Sequence, residues 1–510
     1  MTRRFLPACL LLLIGLATAP ACRAQTAFPR EVVPPRSALE RLGLQRAWFA
    51  AIPLGTPRER VIVVSMAEDM IFAQTNAGNF FVFDAETGRF RWSANLGPAT
   101  LEAHRASVNS FGVFVANGYT LLALDRRSGN LLWKSPLNSL STSDTGANEE
   151  RVLVGTNNGK VTAFRARDVK SSGRGTQGYS LQGGSPAWTW QTNAKVTSRP
   201  IPAGQVAAFA SNDGKVYVAV DEPYSILYRW ASNGPIVASM GTHGTRTLLV
   251  PSTDNSLHAL DLYNGDLLWS FPSGAPITQE PLVGEDDVYL LNTKGMMSAL
   301  NVKDGTARWT HSSGASKLLA VGAKRVYAQS LDNDLIILDR ATGRMLFDAR
   351  ATHQRAGLNL RDYSLAPANR VNDRIYFATP SGLLVGLREA DAIEPRPVRK
   401  PGQPAFGYIP PSGSTDTPPP AANAVPPVTV PTGEKPAATK PDDQAMPDDE
   451  AAADDAPAPK PKPKAKAMKG KAKGKAKVMA DDAMGDDPPA DDAMGDDADM
   501  TKPKPKRKKK

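Results

Sequence analysis

A short phrase that recurs along the chain is the feature that most constrains its fold. LLALDRRSGNLLW runs from Leu121 to Trp133, and LHALDLYNGDLLW runs from Leu257 to Trp269. Asp, Gly and Trp stand at the same offsets in both copies. The recurrence of one phrase at two distant places in the chain indicates a repeated structural unit, so further copies of the phrase are expected between and beyond these two.

The phrase D-x3-G-x3-W recurs about every forty residues. Five clear copies end at Trp92, Trp133, Trp269, Trp309 and Phe347, and two degenerate copies end at Trp190 and Trp230. Upstream of the phrase, two short apolar runs flank a polar turn, as in residues 288–300 and 326–338. Four short strands repeated at this period are typical of the blades of a β-propeller.

The residue types of the phrase predict a tight turn and, after it, a large side chain that fills the gap between two blades, which we call the wedge. The Asp is expected to close a strand and bond the turn backbone, and the Gly to adopt a positive φ. The Trp is expected to open the outer strand and fill the gap between neighbouring blades. The residues predicted for these roles are Asp84, Gly88, Trp92, Asp125, Gly129, Trp133, Trp190, Trp230, Asp261, Gly265, Trp269, Gly305, Trp309, Asp339, Gly343, Phe347 and Trp48.

One longer step in this series indicates an insertion at about residues 169–185, rich in Gly and Ser. Trp188 stands outside the regular series, and its substitution is expected to cost less stability if it sits on this insertion. Because loops vary freely on a fixed scaffold, the insertion is a candidate for specific function on the domain.

The two ends of the repeat region predict how the ring closes. The last repeat, from Arg374 to Leu387, stops without a Trp, whereas Trp48 lies in a short apolar run, Ala47 to Leu54, before the first complete copy. We expect this N-terminal strand to become the outer strand of the last blade, which removes exposed edges. The predicted fold is all-β: an eight-bladed β-propeller of four-stranded blades over residues 45–391, closed by an N-terminal strand.

The first residues predict export. Arg3 and Arg4 precede an apolar run from Leu6 to Leu16, which small residues follow, as in a secretory signal peptide over residues 1–24. Cys22 has two interpretations: a lipid anchor, or a residue left beside an ordinary cleavage site. The predicted location is the periplasm or cell envelope, with or without lipid attachment at the outer membrane.

The composition changes after the repeats. Residues 392–441 read as a Pro-rich linker, and residues 442–510 as a disordered tail of alternating Lys-rich and Asp-rich blocks with almost no large apolar residues. The formal net charge of the chain is +10. The tail is either a solvated spacer or a sequence-blind binder of an anionic surface or polymer.

No catalytic, metal-binding or cofactor-binding residues are predicted. The chain has five histidines, and no two of them have the spacing of metal ligands. The regular recurrence of the Trp residues favours packing over an aromatic ligand site.

The repeated phrase resembles the repeat of the PQQ-like (pyrrolo-quinoline quinone) β-propeller family, and the resemblance covers about residues 45–390. One branch of that family contains dehydrogenases that hold quinone and Ca²⁺ at the centre of the ring. This chain has nearly minimal blades, and no Asp-rich calcium cluster or mature Cys pair can be recognised. The BamB branch is similar in plan: exported, compact, eight-bladed and without enzyme activity.

The resemblance therefore implies a non-enzymatic envelope scaffold of BamB type, linked to outer-membrane protein assembly. It implies a monomeric propeller that binds other envelope proteins through its loops, with no cofactor and no small-molecule substrate. Two alternatives stay open: a PQQ-dependent dehydrogenase, and a binder of anionic polymers that acts through the basic tail.

Overall fold

The computed structural model describes residues 33–97, 103–171, 177–180, 183–398 and 402–408. The predicted signal peptide, Cys22 and the predicted disordered tail lie outside these residues, and so does most of the predicted linker. Within the described part of the chain, no helix is long and apolar enough to cross a membrane.

Eight antiparallel sheets follow one another as the blades of a propeller. A short helix, α1 (Arg36–Arg41), and strand β1 (Leu44–Ala51) precede the first complete blade. Blade 1 contains β2 (Val61–Ala67), β3 (Met70–Thr75), β4 (Asn79–Asp84) and β5 (Phe90–Asn95). Blade 2 contains β6 (Ser107–Val108), β7 (Gly112–Asn117), β8 (Thr120–Asp125) and β9 (Leu131–Pro136).

Blade 3 carries the predicted insertion as an extra hairpin. Its own strands are β10 (Gly146–Ala147), β11 (Arg151–Gly155), β12 (Lys160–Arg165) and, after the hairpin of β13 (Asp168–Ser171) and β14 (Gln177–Ser180), β15 (Pro186–Gln191). Blade 4 contains β16 (Ile201–Ala203), β17 (Val206–Ala210), β18 (Lys215–Val220) and β19 (Ser225–Ala231). Blade 5 contains β20 (Gly241–His243), β21 (Thr247–Pro251), β22 (Ser256–Asp261) and β23 (Leu267–Pro272).

The remaining blades complete the ring. Blade 6 contains β24 (Leu282–Val283), β25 (Asp287–Leu291), β26 (Met296–Asn301) and β27 (Ala307–Ser312). Blade 7 contains β28 (Lys317–Val321), β29 (Arg325–Gln329), β30 (Leu335–Asp339) and β31 (Met345–Phe347), and a short π-helical turn (Ala351–Arg355) follows it. Blade 8 contains β32 (Ile375–Ala378), β33 (Leu383–Glu389) and β1.

The predicted closure by the N-terminal strand is confirmed. β1 pairs antiparallel with β33 from Leu44↔Glu389 to Ala51↔Leu383, so it is the outer strand of blade 8. The innermost position of this blade is taken by a single bridge, Leu365↔Ala378. The eight-bladed, all-β fold is therefore closed by residues from both ends of the repeat region.

The burial of each strand follows its place in the blade. All six residues of β3 and all five of β17 are buried, because a neighbouring blade covers each face of the sheet. β19 instead alternates exposed and half-buried residues, as expected for an outer strand with one face towards water. The core lies between blades: one cluster joins Met70 and Phe80 of blade 1 to Val113 and Leu122 of blade 2.

Candidate functional site

The Asp of the repeated phrase organises a tight turn between the third and fourth strands of a blade. In blade 2, Asp125 Oδ1 accepts hydrogen bonds from the backbone N–H groups of Ser128 (2.7 Å) and Arg127 (3.0 Å). Burial opposes ionisation of Asp125, but these bonds outweigh it and hold the pKa of the carboxyl below its usual value. Asp84, Asp261 and Asp339 accept backbone N–H bonds at the corresponding turns.

The Trp of one blade packs on the Gly of the next blade. A Cβ atom added to Gly129 would lie 2.4 Å from Cε3 of Trp92, so only glycine fits beneath the ring. Trp92 Nε1 also donates a hydrogen bond to the Arg126 carbonyl across the same junction (2.9 Å). Equivalent contacts join Trp48 to Gly88, Trp133 to Gly184, Tyr228 to Gly265, Trp269 to Gly305, and Trp309 to Gly343.

The structure corrects the prediction for Trp190 and Trp230. Trp92 pairs with Val82 in blade 1, and the residues at the same register in blades 3 and 4 are Trp188 and Tyr228. Trp188 is buried, and its Nε1 donates to Asp221 of the next blade. Trp188 is thus a wedge and not part of the insertion.

The displaced residues lie two positions further along their strands. Trp190 is half-buried against Tyr217 and Tyr224, and Trp230 is half-buried against His258. Residues i and i+2 of a strand share a face, so an alternating sequence alone does not distinguish them. The Asp that would have set the register is absent from both copies, and only blade 3 keeps the glycine, Gly184, four residues before Trp188. Phe347, by contrast, pairs with Ile337 at the wedge register of blade 7.

A second set of residues, not singled out from the sequence, lines the axis of the ring. We call it the axial cluster, and its members are Arg105, Asp144, Arg199, Glu280, Lys317 and Arg370. The innermost strand of a blade pairs with the strand that follows it, and one of its residues lies opposite the third residue of that strand. In four blades, the side chain two positions before this residue belongs to the cluster: Arg105, Asp144, Arg199 and Glu280. They therefore occupy one structural position in blades 2, 3, 4 and 6. Lys317 begins the innermost strand of blade 7.

The axial cluster is linked by ion pairs between blades. Glu280 Oε1 lies 3.1 Å from Arg199 Nη2 and also accepts a hydrogen bond from Arg370. Asp144 Oδ1 accepts the backbone N–H of Arg105 at 2.7 Å, and its Oδ2 lies 3.7 Å from Arg105 Nε. The side-chain ammonium of Lys317 forms no hydrogen bond or ion pair with any residue in the described ranges.

Three cavities meet at these side chains. One of about 460 Å³ is lined by residues of six blades, including Arg105, Asp144, Glu280 and Lys317. A second of about 400 Å³ is lined by Arg199, Glu280 and Arg370, among others, and a third of about 230 Å³ shares residues with both. The side chains of Arg199 and Arg370 are 28% and 25% exposed, so both guanidinium groups reach this space.

Burial and like charges shift the pKa values along the axis. Burial, assisted by the nearby charge of Arg105, lowers the pKa of Lys317 to about 8. Burial and the charge of Arg370 lower the pKa of Arg199 to about 10. Burial also acts on Glu280, but the charges of Arg370 and Arg199 outweigh it and hold the pKa of this carboxyl below its usual value.

The sequence does carry a signal for the axial cluster. Short segments at the same register in blades 2, 3, 4 and 6 read HRAS (104–107), SDTG (143–146), SRPI (198–201) and QEPL (279–282), and in blade 7 a bulge places Lys317 one residue earlier, in SKLL (316–319). The second letter of each is a cluster member. The signal is weak because these residues differ in charge from blade to blade, whereas the turn and the wedge repeat the same residue types.

A hydrogen-bonded Asp–His–Ser chain in blade 5 is best explained by sheet packing. The His258 ring bonds Asp254 Oδ2 (2.9 Å) and Ser270 Oγ (3.0 Å). His258 and Ser270 are cross-strand partners, and the same pair of positions in blade 6 holds Ser298 and Thr310, which are also hydrogen-bonded. Among the described residues, no group of three or more His, Cys, Asp or Glu side chains could hold a metal ion.

The outer rim of the ring presents exposed apolar side chains at one repeated position. Phe90, Leu131 and Leu267 each stand two residues after the phrase glycine, and they are 51%, 52% and 52% exposed. All three open the outer strand of their blade. We call these residues the apolar rim. Most apolar side chains of the propeller are buried, so a recurring exposed set is a candidate contact surface for another protein.

A C-terminal segment also contacts the propeller. Phe406 packs against the cluster of apolar residues between blades 4 and 5. Gly407 N donates to the Thr245 carbonyl (2.8 Å), and the Gly407 carbonyl accepts a hydrogen bond from Tyr263 Oη (2.7 Å). Residues 402–408 therefore lie against this side of blades 4 and 5.

Eight compact blades, five of whose junctions are Trp-on-Gly contacts, define a PQQ-like β-propeller. A sequence profile described as outer membrane protein assembly factor BamB matches residues 43–221 and 202–404. The chain therefore belongs to the BamB family.

Individual relatives are distant. Outer membrane protein assembly factor BamB of Yersinia pestis is 23% identical over 273 residues, which cover 49% of this chain and 68% of that protein. The protein of the same name from Moranella endobia (strain PCIT) is 22% identical over 268 residues, which cover 48% of this chain and 64% of that protein.

Solved structures agree in fold. BamB from Moraxella catarrhalis superposes with a TM-score of 0.52 at 15% identity, covering 68% of this chain and 97% of that one. The computationally designed Ika8 protein gives a TM-score of 0.51 at 13% identity, with coverage of 65% and 97%. These likenesses concern the fold alone.

Proposed function

We propose that this protein is a non-enzymatic scaffold of the cell envelope that takes part in outer-membrane protein assembly. The observation that carries the proposal is the match of the BamB family over residues 43–404. Its domains are a signal peptide over residues 1–24, the propeller over 45–391, a linker over 392–441 and a charged tail over 442–510. Both alternatives, a quinone-dependent dehydrogenase and a tail-driven anionic-polymer binder, have no comparable support.

The partner in this proposal is another envelope protein, and the apolar rim is the surface that receives it. Large apolar side chains that are half exposed at one repeated position can be buried in an interface core with little rearrangement of a rigid ring. Burial of such side chains is the main favourable term in most protein association.

The test is site-specific photo-crosslinking in the native envelope. A photoreactive residue at Leu131 or Phe90 is expected to crosslink to a component of the outer-membrane assembly machinery. The same residue at Leu331, which is 88% exposed and lies in a turn of blade 7, is the matched control for an exposed apolar position outside the rim. Equal crosslinking at all three positions, or none to that machinery, would contradict the proposal.

Export and lipidation are tested separately. The mass of the mature N-terminus, measured on protein purified from the envelope, distinguishes a lipid-modified Cys22 from ordinary cleavage nearby. An uncleaved N-terminus would contradict the predicted signal peptide.

A further inference from the structure

The axial cluster contains more positive charge than its own carboxylates neutralise. Four cations face two carboxylates. Glu280 is already paired with two guanidinium groups, those of Arg199 and Arg370. Asp144 is paired with the guanidinium group of Arg105. A further carboxylate on the cavity wall, Glu68, is paired with Arg126 at 2.6 Å. The ammonium of Lys317 is left without an anionic partner among the described residues.

Unused hydrogen-bond donors accompany this excess charge. Arg199 Nε is buried and has no hydrogen-bond partner in the described part of the chain. Lys317 offers three N–H donors to the neighbouring cavity of about 460 Å³, and Arg105 is 44% exposed at the wall of that cavity. Holding such groups close together away from bulk water has an electrostatic cost, which a bound anion would remove.

We propose that the axial cavity binds a small, multiply charged oxyanion of the phosphate or sulfate type. Lys317 and Arg105 contact it as principal ligands, and Arg199 and Arg370 add positive charge. Guanidinium and ammonium groups together match the geometry and charge of such an ion. The cavity of about 460 Å³ has room for the ion and several waters, each of which occupies about 30 Å³.

This site lies on the axis, whereas the proposed protein partner binds at the rim. The two proposals therefore fail independently. Loss of oxyanion binding is expected to leave crosslinking at the apolar rim unchanged, and loss of crosslinking at the rim is expected to leave oxyanion binding unchanged. The same phosphate chemistry is available from a free ion or from an anionic lipid headgroup, and the experiment distinguishes these sources.

Inorganic phosphate is titrated into the full-length protein by isothermal calorimetry at low ionic strength. Lys317→Met is expected to weaken binding about tenfold or more, because a charge-assisted hydrogen bond is lost. Asp144→Asn is expected to strengthen binding, because it removes a competing negative charge. Lys324→Met, whose ammonium is 76% exposed and pairs with Asp391, is the matched control and should bind like the wild type. The Lys-rich tail is present in every variant, so its contribution cancels.

Arg105→Gln is the second variant, because this half-exposed side chain can be replaced with little effect on the core; melting temperatures verify that each variant is folded. Wild-type phosphate affinity in both Lys317→Met and Arg105→Gln would overturn the proposal. Sedimentation with phosphatidylglycerol vesicles forms the second arm. Vesicle binding that requires Lys317 assigns the ligand to a lipid headgroup, and phosphate binding that requires Lys317 without such vesicle binding assigns it to a free ion. If neither depends on Lys317, the proposal is wrong.

Discussion

At the scale of single residues, the phrase glycine is constrained by its own backbone and by the neighbouring blade. Gly129 has a φ of 73° and lies directly against the Trp92 ring. Gly274 has a φ of 76°, but an added Cβ would meet nothing within 4 Å. The two positions therefore separate the cost of the backbone conformation from the cost of the close approach.

Gly274→Ala is expected to lower the free energy of unfolding by about 1–2 kcal/mol, the cost of a left-handed conformation for an L-residue. Gly129→Ala should lower it further, by about 1–3 kcal/mol, because the Cβ forces the Trp92 ring out of place. Chemical denaturation of both variants measures the difference. Equal losses would show that the ring does not require glycine beneath it.

The wedge residues support a second prediction. Trp188→Ala is expected to cost about 3–5 kcal/mol of unfolding free energy, because the ring is buried between blades. Trp190→Ala should cost clearly less, because that ring is half-buried at the edge of the same junction. Denaturation of this pair compares the same substitution two residues apart on one strand. A larger loss for Trp190→Ala would restore the assignment based on the Trp period.

Lys317 predicts a pH dependence of stability. Its pKa of about 8 lies below the ordinary lysine value of 10.5, so between these pH values the unfolded chain binds more protons than the folded one. The contribution of Lys317 to stability is therefore unfavourable at neutral pH and improves as pH rises from about 8 to 10.5. The difference in melting temperature between the wild type and Lys317→Met should change in the direction favouring the wild type across this window. A constant difference would exclude a depressed pKa.

At the scale of elements, strand β1 determines whether the ring is closed. It pairs with β33 along its whole length, and its Trp48 covers Gly88 of blade 1. It therefore supplies both the outer edge of blade 8 and the wedge at the last junction. Without it, an apolar sheet edge and two blade faces would be open to water.

Deletion of residues 45–54 is expected to abolish cooperative thermal unfolding of the propeller, as measured by circular dichroism and calorimetry. Deletion of residues 442–510 is the control, because that part of the chain is predicted not to contribute to a core and its removal should leave the transition unchanged. An unaltered melting temperature after removal of 45–54 would contradict closure by β1.

At the scale of the whole molecule, the charge of the axis distinguishes this ring from one that holds a metal. Four cations surround the centre, and a divalent cation would be repelled there. Ca²⁺ alone is therefore expected to leave the melting temperature unchanged, and Ca²⁺ with pyrrolo-quinoline quinone to give no dye-linked alcohol oxidation. Stoichiometric quinone binding with turnover would place the protein among the dehydrogenases instead.

The sequence was most informative where the repeats agree. Asp125, Gly129 and Trp133 recur with their spacing, so blade number, ring closure and family could be predicted from them. It was misleading at Trp190 and Trp230, where the Asp of the turn is missing and a second aromatic residue lies two positions away. The axial cluster, with Lys317, could hardly be predicted from the sequence, because each blade supplies a different residue type to the axis.

What the sequence determined by itself is the repeated unit. A local turn and an alternating strand pattern depend on residues that are close together in the chain. Once the structure of one repeated unit is predicted correctly, its repetition along the chain specifies the ring. Only the tertiary structure decided which side chains meet across the ring. Arg105 and Lys317 come from blades far apart in sequence, and closure of the propeller brings them to one cavity, where burial and the charge of Arg105 lower the pKa of Lys317.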